Sequence, residues 1–216
     1  MTGPGRPRQV DDEAIFTVAL EAFGSVGYDA VSLRDLNRTL GVSHGMLARR
    51  FGDKDRLWEA TVRWGFGRHQ ARLLTALTGS AEGDDPADDL DRLRRVLREF
   101  VATAADLPDL HRVVTQEACR ESPRVDTLFE VAVARLFEHG LRDLLDRLER
   151  DGRIRHVASR DAFFLVANGA AAVFAMAPLS RRFDEADGPV EPAAYADRVA
   201  DLLLSAVTLP GAGQPA

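Results

Sequence analysis

Arg49 and Arg50 close the stretch GVSHGMLARRF (residues 41–51), in which a Gly-Val-Ser corner leads into a short run of helix-compatible residues. Leu47 and Phe51 are four apart and share one helical face, so the two arginines between them point elsewhere, toward an anion or toward water. A guanidinium suits phosphate oxygens or a guanine edge. Ser32, Arg34, Ser43 and Lys54 flank the same stretch with more hydroxyl and cationic donors. Elsewhere the chemistry is sparse. The histidines are scattered, Cys119 is the single cysteine, and neither Cys-x-x-Cys nor His-x-x-x-His spacing occurs, so no metal site is expected. There is no Gly-rich phosphate loop, nucleophile elbow or Ser/His/Asp set, so the chain reads as a non-enzyme without a cofactor.

The elements that must position these groups are helices. Strand signals are almost absent and helical periodicity is nearly continuous. Asp11 or Asp12 caps a first helix whose Ile15, Ala19, Ala22, Phe23 and Val26 follow the 3–4 spacing, with Gly27 as its stop. Ser32, with Asp35 three residues on, caps a second helix that Gly41 ends after Leu33, Leu36 and Leu40. Ser43 caps a third to about Phe51, and Asp53 a fourth through Trp58 and Val62 to about Leu77. Further helices are expected at about 87–105, 107–120, 124–151, 159–178 and 192–208, with Pro108 as a start and Gly152 as a left-handed stop. GSAEGDDP (79–86) and FDEADGPVEP (183–192) read as acidic loops. The fold class is all-α, with about nine helices. A flexible arm (1–10) precedes a helix-turn-helix unit (11–56), a larger helical domain (57–208) and a disordered tail (209–216).

The 216 residues, 45% of them hydrophobic, suffice for a packed core in one or two domains. No apolar run reaches the ~18 residues that span a membrane. The polar N-terminus lacks a signal peptide's apolar middle, and a lone cysteine fits a reducing compartment, so a cytoplasmic location is expected. The net charge of −6 conceals an asymmetry: 11 Lys/Arg stand against 9 Asp/Glu through Arg72, and 17 against 25 beyond it. Only the local field meets a polyanion, so the overall acidity does not exclude nucleic acid.

Two short helices joined at a glycine corner form a helix-turn-helix if the second can lie in a major groove. Ser43, His44, Gly45, Met46, Ala48 and Arg49 would then face outward on that helix. Spacing alone fits an ordinary helical hairpin with solvated arginines equally well.

Residues 15–58 go further, because they resemble the N-terminal domain of the TetR/AcrR family of transcriptional regulators. The resemblance rests on the Ala-x-x-x-Phe of the first helix, Gly27-Tyr28, Ser32, Leu36, Gly41-Val42-Ser43, Gly45, Leu47, Phe51, Lys54 and Leu57. It implies phosphate contacts from Ser32, Ser43 and Lys54, and base-edge positions for Arg34, His44, Gly45 and Met46. Arg34 is the best candidate for direct readout. Arg6 and Arg8 in the arm would reach the minor groove or neighbouring phosphates. Two positions depart from the family pattern. Asn37 stands where alanine is common, so its amide must find a partner or face outward. Ala48 stands where a tyrosine usually reaches a phosphate, which makes Arg49 or Arg50 the candidate replacement.

The resemblance also implies a small-molecule pocket and a dimer interface in the larger domain. FFLVANGAAAVFAM (163–176) is apolar nearly all round and must be covered on more than one side. With YADRVADLLLSAV (195–207) it would form half of a four-helix bundle across a two-fold axis, with Phe163, Val166, Ala170, Tyr195, Val199 and Leu202 at the interface. A monomeric core helix is the other reading. Pocket candidates are the polar or aromatic residues on apolar faces: Trp64, Phe100, His111, Glu117, Cys119, Phe137, Asn168 and Phe174. Plain core suits the aromatics as well. Asn168 is expected to be buried and hydrogen-bonded, and Cys119 to be a buried, inert thiol.

The sequence thus reads as a homodimeric, ligand-responsive, DNA-binding transcriptional regulator, a repressor released from a pseudo-palindromic operator by a small-molecule effector. Two other readings stay open. One is an all-α binding module or enzyme with a non-functional helix-turn-helix; the other is a regulator controlled by a protein partner through the acidic 183–192 loop.

Overall fold

The computed structural model describes residues 10–78 and 89–210, so the arm, the GSAEGDDP segment and the tail beyond Pro210 lie outside the described residues. Among the described residues the regular structure is helical, apart from one isolated antiparallel bridge between Ile154 and Thr208.

Helix α1 (Asp12–Ala30) starts where Asp11 Oδ1 accepts from the Ala14 N–H at 2.8 Å, and its regular course breaks at Gly27, where φ is +80°. Ile15, Ala19, Leu20 and Phe23 are buried, but Val26 is 59% exposed, against expectation. The face α1 buries in its second half is the one carrying Leu20, Phe23 and Gly24, where a later helix crosses it. Helix α2 (Leu33–Thr39) is capped by Ser32, and Gly41, at φ +66°, turns the chain toward α3 (Met46–Phe51). Ser43 does not cap α3 as expected. The helix begins behind Gly45, Met46 N–H bonds the Ser43 carbonyl at 2.9 Å, and the Ser43 hydroxyl accepts from Arg49 instead. Helix α4 (Lys54–Thr78) is capped by Asp53, whose Oδ1 accepts from the Arg56 N–H at 2.9 Å.

Helices α5 (Asp89–Asp106) and α6 (Pro108–Ala118) follow the expected boundaries, with Pro108 in the first turn of α6. Helix α6 crosses α1 so closely that a Cβ on Gly24 would lie 2.9 Å from Asp109 Cβ. The expected 124–151 helix is instead α7 (Pro123–Phe129) and α8 (Arg142–Arg150), joined through wide π-type turns at Glu130–Ala134 and Phe137–Leu141. Gly140, at φ +107°, interrupts them. The expected 159–178 helix is broken too. Helix α9 (Ser159–Phe163) widens into a π-type segment (Phe164–Ala170), then come α10 (Ala172–Ala175) and, after a non-helical Met176, α11 (Ala177–Ser180). The acidic 183–192 stretch is not all loop, because α12 (Asp184–Asp187) occupies its first half. Helix α13 (Pro192–Val207) lies along α5 and buries Ala196 and Ala200 against it.

Three apolar clusters result. The first joins α1–α3 to the first half of α4 and continues through Leu110 and Val113 of α6 to Leu128 and Val131, so the N-terminal helices share their core with the body. The second gathers Leu77, Leu93, Val96, Leu144 and Leu148. The third sets Val101 against Ala170 and Ala196. Among the described residues no single helix is long and apolar enough to cross a membrane.

Candidate nucleic-acid interface and effector cavity

The helix-turn-helix corner is built around Asn37. Its side chain is buried, its amide N–H donates to the His44 carbonyl at 3.3 Å, and its Oδ1 accepts from the Leu47 N–H at 3.2 Å. One side chain thus ties α2 to the turn and to the start of α3, satisfying two backbone groups that the corner would otherwise bury unpaired. The departure from alanine at this position has a structural use.

Arg34, Ser43, His44, Arg49 and Arg50 are exposed, while Ser32, Gly45, Met46 and Lys54 are half-buried. The Ser32 hydroxyl accepts from the Asp35 N–H at 3.1 Å and donates to the Asp35 carboxylate at 2.6 Å, which holds that carboxyl below its ordinary range. Arg49 donates to the Ser43 hydroxyl at 3.1 Å. Arg50 is held more firmly, by the Asp12 carboxylate at 2.6 Å and the Val10 carbonyl at 3.2 Å. Lys54 closes the end of α1: its ammonium donates to the Tyr28 carbonyl at 3.0 Å and the Asp29 carbonyl at 3.4 Å, and lies 4.2 Å from the Tyr28 ring centre.

Tyr28 links this corner to the body. The Arg124 guanidinium, from α7, lies 3.6 Å from the ring centre on which Lys54 also rests. The phenol donates to Asp55 at 2.6 Å; burial, then that bond, raises its pKa to about 12. Arg124 is anchored in turn on buried Glu117 of α6, with Nε 2.8 Å from Oε2. The chain Glu117–Arg124–Tyr28–Lys54 therefore runs from the body to the base of the helix-turn-helix. Sequence reasoning missed Tyr28 and Arg124 as functional candidates, because their partners are fixed by helix crossing and not by any spacing.

Inside the body is a cavity of about 130 Å³ bounded by α5, the π-type turns, α8, α9 and α13. Its wall is wholly apolar, including Leu93, Val96, Phe100, Phe137, Phe163 and Val166. One layer away, His69 of α4 and His111 of α6 are buried with ring centres 5.9 Å apart. Burial drives their pKa values down, to about 3 for His69 and about 4 for His111. Among the described residues there is no cluster of His, Cys, Asp and Glu that could hold a metal ion.

Residues 15–61 match the family model of bacterial regulatory proteins of the tetR family. The chain is a TetR-family regulator. A search among curated protein sequences found no match. Solved structures agree along nearly the whole length at low identity, and so speak for the fold. The ketosteroid transcriptional regulator KstR2 of Mycobacterium tuberculosis aligns at 18% identity and TM-score 0.66, covering 93% of this chain and 97% of that one. A TetR-family transcription regulator from Marinobacter aquaeolei VT8 gives 16% and 0.65, covering 91% and 94%. The hemolysin II transcriptional regulator HlyIIR gives 18% and 0.63, covering 91% and 96%.

Within this TetR-type fold the expected pocket residues are dispersed. Only Phe100 and Phe137 line the cavity. Trp64 packs on Phe16, with ring centres 5.8 Å apart, in the core beneath α1; Glu117 serves Arg124; and Phe174 meets Tyr195 edge-on at 5.6 Å. Two expectations fail outright. Cys119 is exposed because α6 ends at Ala118 and carries the thiol past its packing partners. Asn168 is exposed because the π-type winding of 164–170 rotates the helix face, turning Phe163 and Val166 into the cavity and Phe164, Leu165 and Asn168 outward. Of the residues expected at a dimer face, Ala170 is buried, its carbonyl accepting from the Tyr195 hydroxyl at 3.2 Å. Val199 is half-buried in the same cluster. Leu202 is 62% exposed, on the surface that also carries Phe164 (58%) and Leu165 (60%).

Proposed function

We propose that this TetR-family regulator is a homodimeric repressor that grips an operator with α3 and lets go when a small apolar molecule occupies the cavity in its body. The observation that carries the reading is α4. It starts at Lys54 under the helix-turn-helix and runs 25 residues into the layer behind the cavity wall, where Leu77 packs with Leu93 and Val96. Residues 11–56 then act as the reading head and 57–208 as the effector and dimerisation body. The apolar wall selects an apolar effector, in keeping with the ketosteroid regulator among the structural relatives.

At the DNA, Arg34, Ser43, His44 and Arg49 face the groove, with Gly45 and Met46 forming its floor and Ser32, Arg50 and Lys54 at its phosphate edges. Lys54 and Arg50 are shared with internal partners, so their phosphate contacts depend on how α1 sits. Effector and operator binding are then negatively coupled, and the coupling is reciprocal. Phe164, Leu165 and Leu202, exposed on the single chain, are covered by the second copy. A mobility-shift titration of the full-length protein with the DNA upstream of its own gene tests this reading. Specific, salt-sensitive binding to a pseudo-palindrome is expected, and its absence at low salt overturns the reading.

A further inference from the structure

His69 and His111 stand directly behind one wall of the cavity. The wall there is the Phe100 ring, which lines the cavity and meets both imidazoles edge-on, at 5.0 Å and 5.8 Å between ring centres. Both nitrogens of His69 and Nε2 of His111 are buried and find no hydrogen-bond partner in the protein. The open cleft between Arg68, Arg72 and Asp106 reaches His69 from outside, yet neither ring nitrogen is exposed to it. Buried polar atoms are almost always paired, since leaving them unpaired costs free energy. Two such rings on neighbouring helices form a place for a polar atom that the chain does not supply.

The chemistry of that atom follows from the surroundings. Neutral imidazoles each offer one N–H and one lone pair. Burial holds both rings uncharged at neutral pH, and Arg72, the cation that bears on His69, is already paired with Glu99 and Asp106. A ligand charge would have no counter-charge here.

We propose that the effector is a mainly apolar molecule with one uncharged oxygen, a hydroxyl or carbonyl, whose body fills the cavity and whose oxygen hydrogen-bonds to His69 and His111 after the Phe100 ring turns aside. The proposal rests on the reading that the cavity is the effector site. It also places the ligand's polar end on α4 itself, the helix that begins under the reading head.

The test is calorimetric titration of the full-length protein with 1-hexanol and with hexane, six-carbon probes suited to a cavity comparable to one that admits benzene. Hexanol is the less hydrophobic probe, yet it binds at least as tightly. His69→Phe and His111→Phe each lower hexanol affinity about three- to tenfold, the scale of one neutral hydrogen bond, and leave hexane affinity unchanged. Independently of how the variants fold, the imidazole ¹⁵N resonances of the unaltered protein shift with hexanol and not with hexane. If hexane binds more tightly than hexanol, if the resonances stay still, or if the variants weaken both probes alike, the histidine role is overturned while the cavity reading stands. Tighter binding of hexanoate than hexanol overturns the uncharged oxygen. If neither hexane nor hexanol binds, the cavity reading and this proposal fall together.

Discussion

Asn37 and the pair His69/His111 are buried polar side chains in the same molecule, treated in opposite ways. Asn37 lies in the helix-turn-helix with donor and acceptor both used. The histidines lie between α4 and α6 with three ring nitrogens unused. Packing is not the difference, since all three side chains are covered by their neighbours. The corner is complete without any ligand, so α3 keeps its shape whether or not DNA or an effector is present. The region behind the cavity is incomplete alone, and stability is held back there that a bound oxygen could restore. A regulator that must present a fixed reading surface and yet answer a signal needs both treatments.

The largest test of this contrast is pH. Histidine in an unfolded chain titrates near 6.5, whereas burial holds His69 at about 3 and His111 at about 4. Between those values the unfolded state binds more protons, so the contribution to stability is complete above about pH 6.5 and is lost as pH falls. At pH 5 the loss is roughly 2 kcal/mol for each ring, about 4 for the pair. Urea unfolding at pH 7, 6 and 5 measures it. His69→Phe with His111→Phe should flatten the profile; an unchanged profile means the rings are not held neutral, and the contrast with Asn37 dissolves.

The next effect sharpens the other side. Glu117 is a buried charge that the fold has completed, through Arg124. Arg124→Ala leaves that carboxylate without its cation and is expected to cost about 3 kcal/mol in urea unfolding, far more than an exposed ion pair would. It also removes the guanidinium from Tyr28, so operator affinity should fall together with stability. A loss under about 1 kcal/mol would show that the Glu117–Arg124–Tyr28 chain does not hold head and body together.

How much of this was legible in the sequence divides along the same line. The helix-turn-helix could be read because local rules fix it: Asp11, Ser32 and Asp53 cap where their types and positions predict, and Gly41 turns where a left-handed residue is needed. Even there Ser43 misled, since Arg49 competes for its hydroxyl. The body was harder, because its pocket is defined by which helix faces meet. Periodicity at 3.6 residues predicts one face for 163–176, and the π-type winding presents another, which is why Asn168 came out exposed and Phe163 turned inward. His69 gave no signal at all: one histidine inside an apolar pattern says nothing about whether its nitrogens are paired.

Asn37→Ala gives a smaller but telling effect. It strips partners from the His44 carbonyl and the Leu47 N–H, and is expected to cost about 2 kcal/mol. Operator binding should fall and the hexane affinity of the cavity should not. His69→Leu is the matched opposite, expected to be neutral or stabilising near pH 7, because it removes unpaired atoms in place of exposing them. Equal destabilisation by the two, in the same denaturant series, breaks the comparison.

The smallest effect concerns the arginines beside Ala48. Arg50 is held by a carboxylate and a carbonyl at the start of α1, whereas Arg49 has only the neutral Ser43 hydroxyl to give up. Reaching a phosphate therefore costs Arg49 less, because exchanging a neutral partner for an anion strengthens the bond and exchanging one anion for another does not. Arg49→Ala should weaken operator binding by about 1 kcal/mol and lower the slope of log affinity against log salt by about one unit. Arg50→Ala should leave that slope alone and lose at most about 1 kcal/mol of stability, the scale of an exposed ion pair. Fluorescence anisotropy across a salt series separates the two. If Arg50→Ala changes the slope and Arg49→Ala does not, the Asp12 pair is a resting place that DNA releases, and the start of α1 belongs to the reading surface.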